Sequence, residues 1–387
     1  MTQAAGGEIR TPFIPWQSKM LLGLFIPIQN GGWSPSLASR TTDWSFEYNL
    51  KCTRQAEAFG FDFVFGLGQW HKRGGYGGLT NYHEQHIDPL VVSAGLAAAT
   101  SRIGIISTTH VLYGWHPTLL AKLSATIDHM SAGRFGLNIV TGYKPFEFEM
   151  FGQDPVPHDD RYLMAEEFTE QMQNLWAAED DITTSGRFWS MRNAFVTPKP
   201  KNQRPTMVSA GSSAPGLEFA RKFSDMLFIT SPVYPGDIYS TIDALPDYIR
   251  KVRRATEREG ARLRLLINPL ILCRETQKEV DEYYEMIAGQ PDIEAINALV
   301  GTMTASGDHE SWKGAGESRP DAASLGRQAA GGNVLIVGTP DVVAKQIEGL
   351  YDAGVDGVQL SFFDYLPDLK FFGERVLPIL RRDGYRQ

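Results

Sequence analysis

Residues 103–141 contain three consecutive runs of contrasting pattern: Ile103-Gly-Ile-Ile-Ser-Thr108, Pro117-Thr-Leu-Leu-Ala-Lys-Leu-Ser-Ala-Thr-Ile-Asp-His-Met130 and Phe135-Gly-Leu-Asn-Ile-Val-Thr141. The outer two runs are short and largely apolar, which is typical of parallel strands buried on both faces. The middle run is longer and begins at a proline, a residue suited to the first turn of a helix. The stretch therefore predicts a strand–helix–strand unit of a parallel α/β sheet.

The same alternation continues on both sides of this unit. Further strand-like runs lie at 21–28, 61–67, 206–210, 226–230, 263–273 and 357–362. Helical patterns lie at 44–59, 89–100, 160–177, 215–223, 235–259, 340–353 and 369–380. Eight strands, each followed by helix, predict a single (β/α)8 TIM barrel of the α/β class over residues 18–380.

One segment breaks the alternation. Residues 301–333 are rich in Gly, Ser, Ala and charged side chains and show no clear period. A loop of this length inside a compact domain is usually a lid or a disordered linker. We expect an insertion between the seventh and eighth barrel strands, and we treat residues 1–17 as an N-terminal extension.

The composition excludes several classes of protein. The 387 residues carry 45 acidic and 37 basic side chains, a net charge of −8, which argues against nucleic acid as a partner. Cys52 and Cys273 form no CxxC pair, so neither a disulfide framework nor a cysteine-rich metal site is expected. The N-terminus lacks the apolar core of a signal peptide, and no apolar run reaches the roughly 18 residues that span a bilayer. These observations predict a cytoplasmic protein without a membrane partner.

The ends of the predicted strands point to the candidate site, because TIM-barrel active sites lie at the carboxyl ends of the strands. Strand by strand, this rule selects Gly68, Gln69, Trp70, then Thr108 and His110, then Asn138, Thr141, Tyr143 and Glu147, then Gly211, Ser212 and Ser213, and finally Phe363.

The turn Gly211-Ser212-Ser213 joins a strand to a helix N-terminus. Free backbone N–H groups and the positive end of the helix dipole suit a phosphate there. Arg161 and Tyr162 could add contacts to the same phosphate. The alternative is an ordinary turn with a serine cap.

Asn138 is a polar residue inside the apolar run of the fourth strand. A buried amide left without hydrogen bonds costs on the order of 1–3 kcal/mol. Either a ligand or a neighbouring strand-end side chain can satisfy it. Thr108 poses a weaker version of the same question, because threonine is common in strands.

No metal site is predicted. His83 and His86 flank Glu84 without the HExxH spacing that places two ligands on one helical face. We expect these histidines to bond substrate or to cap the next helix, and His110 to line the pocket or simply to pack. The P-loop, the GxSxG elbow and the dinucleotide fingerprint are also missing from the sequence.

Aromatic residues lie near the predicted strand ends and fit a planar or apolar ligand, although each alone is weak evidence. With the two pocket histidines, the candidates for a substrate pocket are Trp33, Trp70, His83, His110, Tyr143 and Phe363.

Several longer stretches resemble the bacterial-luciferase-like flavin monooxygenases, in particular the subgroup of pyrimidine, alkanesulfonate and dimethylsulfone monooxygenases. They are Phe25-Ile-Pro-Ile-Gln-Asn-Gly-Gly-Trp33, Ala94–Ile103, Ala125–Gly142, His158-Asp-Asp-Arg-Tyr162, Ala210-Gly-Ser-Ser213, Val337-Gly-Thr-Pro340 and Phe372-Gly-Glu-Arg-Val-Leu-Pro378. Together they extend over roughly residues 20–380. The dimethylsulfone branch is the most similar. The Gln69-Trp70-His71 segment and Gly142-Tyr143 differ from the usual pattern and bear on the substrate more than on the cofactor.

The resemblance implies a two-component enzyme. A separate NAD(P)H-dependent flavin reductase would supply reduced FMN (FMNH2). Reduced FMN would react with O2 to form a flavin peroxide, which would oxidise a small organic substrate. Dimethylsulfone, cleaved to methanesulfinate and formaldehyde, is the best match. The resemblance also implies a homo-oligomer, a dimer or a tetramer.

The resemblance further assigns roles to residues. Gly68 and Gln69 would lie by the isoalloxazine ring, with Asn138, Thr141 and Glu147 along the flavin and its ribityl chain. Arg161, Tyr162, Gly211, Ser212 and Ser213 would hold the phosphate, and Thr108 with Asn138 would line the oxygen pocket as catalytic residues. Three alternatives stay open: the same chemistry on a heterocycle, alkanesulfonate or halogenated aromatic, a deazaflavin-dependent oxidoreductase, and a flavin-binding protein without catalysis.

Overall fold

A computed structural model describes residues 19–142, 144–233, 237–260, 262–305 and 322–387. Its strands are β1 (Leu21–Phe25), β2 (Phe63–Gly66), β3 (Gly104–His110), β4 (Phe135–Val140), β5 (Ile182–Ser185), β6 (Ser190–Ala194), β7 (Thr206–Ser209), β8 (Met226–Ile229), β9 (Arg264–Ile267), β10 (Pro269–Cys273), β11 (Val334–Gly338) and β12 (Gly357–Phe362). Eight of them, β1 to β4, β7 to β9 and β12, pair in parallel, and β12 returns to β1 to close a barrel. The predicted TIM barrel is confirmed.

Helices surround the barrel. They are α1 (Phe46–Phe59), α2 (Pro89–Ala99), α3 (Pro117–Met130), α4 (Pro145–Met150), α5 (His158–Ala177), α6 (Ala214–Phe223), α7 (Ile238–Ala255), α8 (Gln277–Ala288), α9 (Ile293–Ala305), α10 (Ala322–Ala330), α11 (Pro340–Asp352), α12 (Tyr365–Phe371) and α13 (Leu377–Arg382). A π-helical turn, Phe372–Val376, links α12 to α13. None of the helices in the described ranges is long and apolar enough to cross a membrane.

The seventh barrel strand is interrupted, where the sequence predicted one strand over 263–273. Asn268 separates β9 from β10, and β10 turns away to pair with β11 and with the upper part of β12. Pro269, which follows the break, lacks the N–H that a central strand needs to continue its ladder. The break brings the Asn268 side chain to the rim of the barrel.

Several elements were not predicted, namely the β5–β6 hairpin, α4, α8 and β11. The hairpin strands alternate between exposed and half-buried residues, so they lack the apolar run that marks a barrel strand. β11 lies at the end of the sheet beside β10, outside the closed barrel.

The segment 301–333 is more regular than its composition suggested. Its first residues end α9, and residues 322–330 form α10, which packs on α8. A helix of nine residues is too short to show a clear period in the sequence. Residues 306–321, like residues 1–18, lie outside the described ranges, so the lid, the N-terminal extension and the domain bounds stay predictions.

The pairing of β3 with β4 sets the geometry of the rim. Their parallel register places Thr108 beside Asn138 and His110 beside Val140. The turn after β7 runs directly into α6, with Ser213 as its N-cap. Because all barrel strands point the same way, their polar ends meet at one rim.

Candidate active site

Two adjoining cavities open at the carboxyl rim of the barrel. The first, of about 270 Å³, lies between the ends of β4, β7 and β8. The second, of about 240 Å³, lies beneath α9 and α10. Both are lined by Phe25, Leu67 and Asn268, so one elongated ligand, or two ligands in contact, can occupy them.

One end of the first cavity is the N-terminus of α6. Gly211, Ser212 and Ser213 lie on its wall, and the Ser213 hydroxyl accepts a hydrogen bond from the Gly216 N–H at 3.3 Å. The first N–H groups of a helix have no partner within the helix, and the dipole makes this end positive. This end of the cavity is therefore suited to an anion.

Close backbone packing shapes that end. A Cβ on Gly211 would lie 2.6 Å from the Tyr162 hydroxyl oxygen and 2.9 Å from the Gly216 Cα. A Cβ on Gly216 would lie 2.7 Å from the same hydroxyl. Tyr162 thus reaches the turn because two glycines leave room for it, and it lines the cavity, while its contact with a phosphate stays a prediction.

Arg161 lies behind this wall and is buried. Its Nη1 donates to the Gly142 carbonyl oxygen at 2.8 Å, and the residue is not part of the cavity lining. The guanidinium holds the turn after β4, which carries Thr141 and Gly142 on the cavity wall, and the phosphate contact of Arg161 stays a prediction.

The other end of the first cavity is aromatic with polar edges. Phe65 packs edge-on against Phe25 and Phe228, with ring centroids 5.2 and 4.8 Å apart. Asn138 and Gln359, both 1% exposed, line the same cavity. This combination suits a flat ring that carries hydrogen-bonding groups on its edge.

The two buried amides are only partly satisfied. Asn138 Nδ2 donates to the Thr108 Oγ1 at 3.0 Å, which is the neighbouring strand-end partner foreseen from the sequence. Asn138 Oδ1 and Gln359 Nε2 have no hydrogen-bond partner among the described residues. One is an acceptor and the other a donor, so a ligand with both kinds of group would satisfy them.

A third, small cavity of about 80 Å³ adjoins the rim between β2 and β3. Gly68, Gln69, Trp70, Thr108 and His110 are on its wall. A Cβ on Gly68 would lie 2.9 Å from the Thr108 carbonyl oxygen, so the glycine is needed for this approach. His110 also lines the first cavity, which makes it a link between the two spaces.

Trp70 lies on the wall of the third cavity and not of the two large ones, and its place in a substrate pocket stays a prediction. Its side chain is 41% exposed and packs edge-on against Phe151 at 5.1 Å. The sequence located Trp70 just after a barrel strand, but it did not indicate that the loop after β2 leaves the indole partly exposed.

Phe363 also lies outside the two large cavities. It is buried in the core beside β10, with the Arg40 guanidinium 4.4 Å from its ring centroid and Tyr283 edge-on at 6.0 Å. Phe363, the residue after β12, therefore lies on no wall of the three cavities described above, and its contact with a substrate stays a prediction. Tyr143 lies outside the described residues.

Glu147 supports the site from behind, and no cavity wall includes it. Its Oε1 accepts from the Trp70 backbone N–H at 3.0 Å and its Oε2 from the Tyr113 hydroxyl at 2.6 Å. Lys144 Nζ lies 3.6 Å from Oε1. Burial raises the pKa of Glu147, but His110, Lys144 and these hydrogen bonds outweigh burial and lower it, so the carboxylate is ionised.

The second cavity has an aromatic wall. Trp33 stacks on Phe25, with centroids 3.8 Å apart and planes at 24°. His83 stacks on Tyr82 at 3.9 Å, and its Nε2 donates to the Gly32 carbonyl oxygen at 2.9 Å. Trp33 and His83 thus lie on the wall of the second cavity, and their contact with a substrate stays a prediction.

Helices α9 and α10 supply the opposite wall. Ile296 and Leu299 contribute apolar surface, and Gln328 and Asn333 contribute amides. Five buried polar atoms around this cavity have no hydrogen-bond partner in the described part of the chain: Trp33 Nε1, His83 Nδ1, Gln328 Oε1 and both amide atoms of Asn333.

The family of the chain follows from comparison with known proteins. The model of the luciferase-like monooxygenases matches residues 20–357. The chain belongs to the luciferase-like monooxygenase family. A protein named FMNH2-dependent dimethylsulfone monooxygenase, from Pseudomonas fluorescens (strain Pf0-1), is 32% identical over 367 residues, 94% of this chain and 95% of the relative. Pyrimidine monooxygenase RutA from Acinetobacter baylyi is 30% identical over 369 residues, 93% of this chain and 95% of the relative.

Solved structures share the fold of this luciferase-like monooxygenase. The crystal structure of DmoA from Hyphomicrobium sulfonivorans superposes with a TM-score of 0.81 at 20% identity, over 95% of this chain and 89% of that chain. At this level of identity the likeness shows the fold alone.

Sequence reasoning missed several wall residues of this luciferase-like monooxygenase. Gln359 had a visible signal, because it interrupts an apolar barrel strand in the same way as Asn138. Asn268 was also visible, as the residue before a proline inside an apolar run. Gln328 and Asn333 had none, since they lie in the segment without a period.

Burial favours the neutral form of three histidines at the rim, His71, His83 and His86. Burial lowers the pKa of His83 to about 3 and that of His86 to about 4. Burial and the Lys144 charge lower the pKa of His71 to about 2. Among the described residues of this luciferase-like monooxygenase, no group of three His, Cys, Asp or Glu side chains is placed to hold a metal ion.

Proposed function

We propose that this luciferase-like monooxygenase binds reduced FMN in the first cavity and oxidises a small neutral substrate in the second. The observation that carries the proposal is the layout of the first cavity. A helix N-terminus lies at one end, and an aromatic slot with one unpaired acceptor and one unpaired donor, Asn138 Oδ1 and Gln359 Nε2, lies at the other. FMN has a phosphate at one end and a flat ring with carbonyl and N–H groups at the other.

The residues present fit this cofactor. Gly211, Ser212, Ser213 and Tyr162 would hold the phosphate through N–H and hydroxyl groups. Asn138 and Gln359 would bond the edge of the ring, which removes the cost of burying them unpaired. Thr108 fixes the Asn138 amide, because its Oγ1 accepts from Nδ2.

Reduced FMN, when bound, would supply the two electrons that let one atom of O2 enter the substrate while the other leaves as water. The chain itself orients the two molecules and keeps bulk water away from them. Phe25 and Leu67 line both cavities and make the contact region between them apolar. Thr108 and Asn138 remain the proposed oxygen-pocket residues.

The electrons would come from a separate NAD(P)H-dependent flavin reductase. The sequence holds no dinucleotide-binding fingerprint of its own, and a relative is named for its use of FMNH2. We also propose a cytoplasmic homo-oligomer, a dimer or a tetramer. Val91 on α2 and Leu119 on the neighbouring α3 are exposed, at 73% and 48%, and would be covered in such an assembly.

Dimethylsulfone is the substrate we propose first. Its cleavage to methanesulfinate and formaldehyde balances with one O2 and the two electrons and two protons of FMNH2, with one water released. Two sulfone oxygens can accept from donors at the second cavity, where Trp33 Nε1 and Asn333 Nδ2 are unpaired among the described residues. A relative that acts on this compound is 32% identical.

A pyrimidine-like heterocycle is the second candidate, and a specific observation favours it. The second cavity also holds unpaired acceptors, Gln328 Oε1 and Asn333 Oδ1, which a sulfone cannot use but a ring amide can. Its stacked walls, Trp33 on Phe25 and His83 on Tyr82, suit a flat ring.

The test is oxygen uptake by the purified protein with a flavin reductase, NADH and FMN, with dimethylsulfone, with uracil and with neither. Formaldehyde and methanesulfinate formed only with dimethylsulfone support the first substrate, and consumption of uracil supports the second. Gln359→Leu should weaken FMN binding by about tenfold, as expected for one lost hydrogen bond, whereas Gln277→Leu, at an exposed site on α8, should not. A protein that binds no FMN, or binds a deazaflavin without oxygen uptake, would refute the proposal, and binding without any turnover would leave a flavin-binding protein.

A further inference from the structure

The side-chain amide of Gln69 has an orientation that its surroundings dictate. Gln69 lies on the walls of the second and third cavities and not of the first. Its Oε1 accepts from Lys144 Nζ at 3.0 Å and from His71 Nε2 at 2.9 Å. An ammonium group can only donate, so the atom that faces Lys144 must be the oxygen.

Lys144 is a buried cation, with 2% of its surface exposed. It is anchored by the Glu147 carboxylate at 3.6 Å, and that carboxylate is itself held by the Trp70 N–H and the Tyr113 hydroxyl. A buried charge is costly unless it is paired and hydrogen-bonded. The network therefore fixes the position of the ammonium group relative to Gln69.

His71 completes the arrangement on the other side of the same oxygen. Burial and the nearby Lys144 charge keep its pKa far below the usual range, so the ring is neutral and carries one proton. The Gln69 oxygen can only accept a hydrogen bond, so the proton of His71 must lie on Nε2, which donates to it. The ring packs edge-on against Tyr76 at 4.7 Å, which limits its rotation.

The Gln69 amide nitrogen is left for another partner. Nε2 donates to none of the residues that the structure describes, and it is not one of the fully buried side-chain atoms without a partner. Because Lys144 and His71 both bond Oε1, Nε2 is the polar atom of Gln69 that is left to meet a ligand in a cavity that this residue lines.

We propose that Lys144 and His71 are positioning residues that turn the Gln69 amide so that Nε2 donates a hydrogen bond to an acceptor atom of the substrate in the second cavity. Identification of the ligand as substrate rests on the proposed function. The orientation of the amide itself does not. Gln69 thus acts on the ligand, and Lys144 and His71 act through Gln69.

The decisive variant is Gln69→Glu. A carboxylate keeps both acceptor contacts, to Lys144 and to His71, and loses only the donor. We expect binding of the probe dimethylsulfone to the protein–FMN complex to weaken by about tenfold, the usual effect of one lost hydrogen bond. If Gln69 contacted the isoalloxazine ring, as the resemblance to the family implies, FMN affinity would fall to the same extent. Its place on the second and third cavities, and not on the first, predicts instead that FMN affinity stays within about twofold. Unchanged probe binding would overturn the donor role.

A double-mutant cycle tests whether Lys144 acts through Gln69. Lys144→Met should weaken probe binding in the wild-type background and have no added effect in a Gln69→Leu background. The control is Lys72→Met, because Lys72 is exposed, pairs with Glu149 at 3.3 Å and does not contact Gln69. Lys144→Arg, which keeps a donor, should restore part of the lost affinity. Effects of Lys144→Met and Gln69→Leu that simply multiply would overturn the positioning role.

A readout without any ligand separates this inference from the proposed function. The Gln69 side-chain amide gives a ¹⁵N–¹H signal that can be identified by its loss in Gln69→Leu. In the ligand-free protein we expect Lys144→Met and His71→Phe to shift or broaden this signal, and Lys72→Met to leave it unchanged. If the signal responds but neither FMN nor dimethylsulfone binds, the proposed function fails and the positioning stands. A signal that ignores both substitutions overturns the positioning.

Discussion

Substitution of Gly211 by alanine is the sharpest test of the anion end of the first cavity. The added Cβ would meet the Tyr162 hydroxyl oxygen at 2.6 Å and the Gly216 Cα at 2.9 Å, whereas ordinary contacts of a Cβ begin at 3.4 Å. The hydroxyl can swing away, but Gly216 is backbone at the start of α6 and cannot move without shifting the helix.

The size of the effect follows from these two contacts. Overpacking in a tight region typically costs about 1–3 kcal/mol. We expect Gly211→Ala to lower the free energy of unfolding by about 2 kcal/mol and to weaken FMN binding by at least about tenfold, because the N–H groups at the start of α6 are displaced. In a Tyr162→Phe background, which removes the nearest atom, the stability cost of the alanine should shrink by roughly 1 kcal/mol.

The assay is urea unfolding together with FMN titration of the single and double variants. Gly301→Ala serves as the matched control, since a Cβ there meets nothing within 4 Å and the residue lies in α9. Alanine in a helix is favoured over glycine by roughly 0.5–1 kcal/mol, so this control should be neutral or slightly stabilising. Full stability and full FMN affinity of Gly211→Ala would refute the reasoning.

Three further predictions concern buried polar groups. Burial holds the pKa of His83 near 3, so below about pH 6.5 the unfolded chain binds a proton that the folded chain does not. As the pH is lowered, the free energy of unfolding should therefore decrease by about 1.4 kcal/mol per pH unit because of this group. In urea titrations between pH 6 and 4, His83→Asn should lack this decrease, and equal slopes for the two proteins would contradict the prediction. Asn138→Leu removes an unpaired buried carbonyl, which stabilises, and the hydrogen bond to Thr108 Oγ1, which destabilises. The free energy of unfolding of the ligand-free protein should therefore stay within about 1 kcal/mol while turnover falls, and a loss above about 2 kcal/mol would contradict this. Arg40→Met removes hydrogen bonds to the carbonyl oxygens of Gly31, Ser34 and Ser36, at 3.0, 2.9 and 2.6 Å, in the segment around Trp33. The free energy of unfolding should decrease by about 3 kcal/mol, and dimethylsulfone binding should weaken while FMN affinity is unchanged. An equal loss of both affinities would argue against separate cavities.

The barrel was predictable because its signal is local. A strand buried on both faces must be apolar along its whole length, so β3, β4 and β12 stand out as short runs between longer helical patterns. The order of strands then leaves little choice of topology, because parallel crossovers are short and right-handed. The break at Asn268 was missed, although the Asn268-Pro269 pair inside the apolar run was a signal for it.

Part of the candidate site was equally local. The turn Gly211-Ser212-Ser213 follows a strand and begins a helix, and the structure places all three residues on the wall of the first cavity. Asn138 was singled out as a polar residue in an apolar strand, and it lies on the same wall. A polar residue in an apolar strand indicates a hydrogen-bond partner or a ligand, because burial of a polar group without a partner is costly.

Side-chain direction could not be predicted in the same way. Trp70, Glu147 and Phe363 all follow barrel strands. Trp70 is partly exposed and packs on Phe151, Glu147 holds the loop after β2, and Phe363 packs in the core. A position in sequence gives the height of a residue in the barrel, whereas the rotamer depends on neighbours from other elements.

The local sequence patterns were thus sufficient to predict the barrel, the turn that begins α6 and the buried amide of Asn138. Each of these features follows from a few consecutive residues. Tertiary structure alone placed Gln359 and Asn138 on the wall of one cavity, placed Asn333 and Trp33 on the wall of the other, and held the oxygen of Gln69 between Lys144 and His71. These partners come from separate strands, helices and loops. Hydrogen bonding acts over about 3 Å, so only the closed barrel and the helices above it determine which polar atoms are paired and which are left for a ligand.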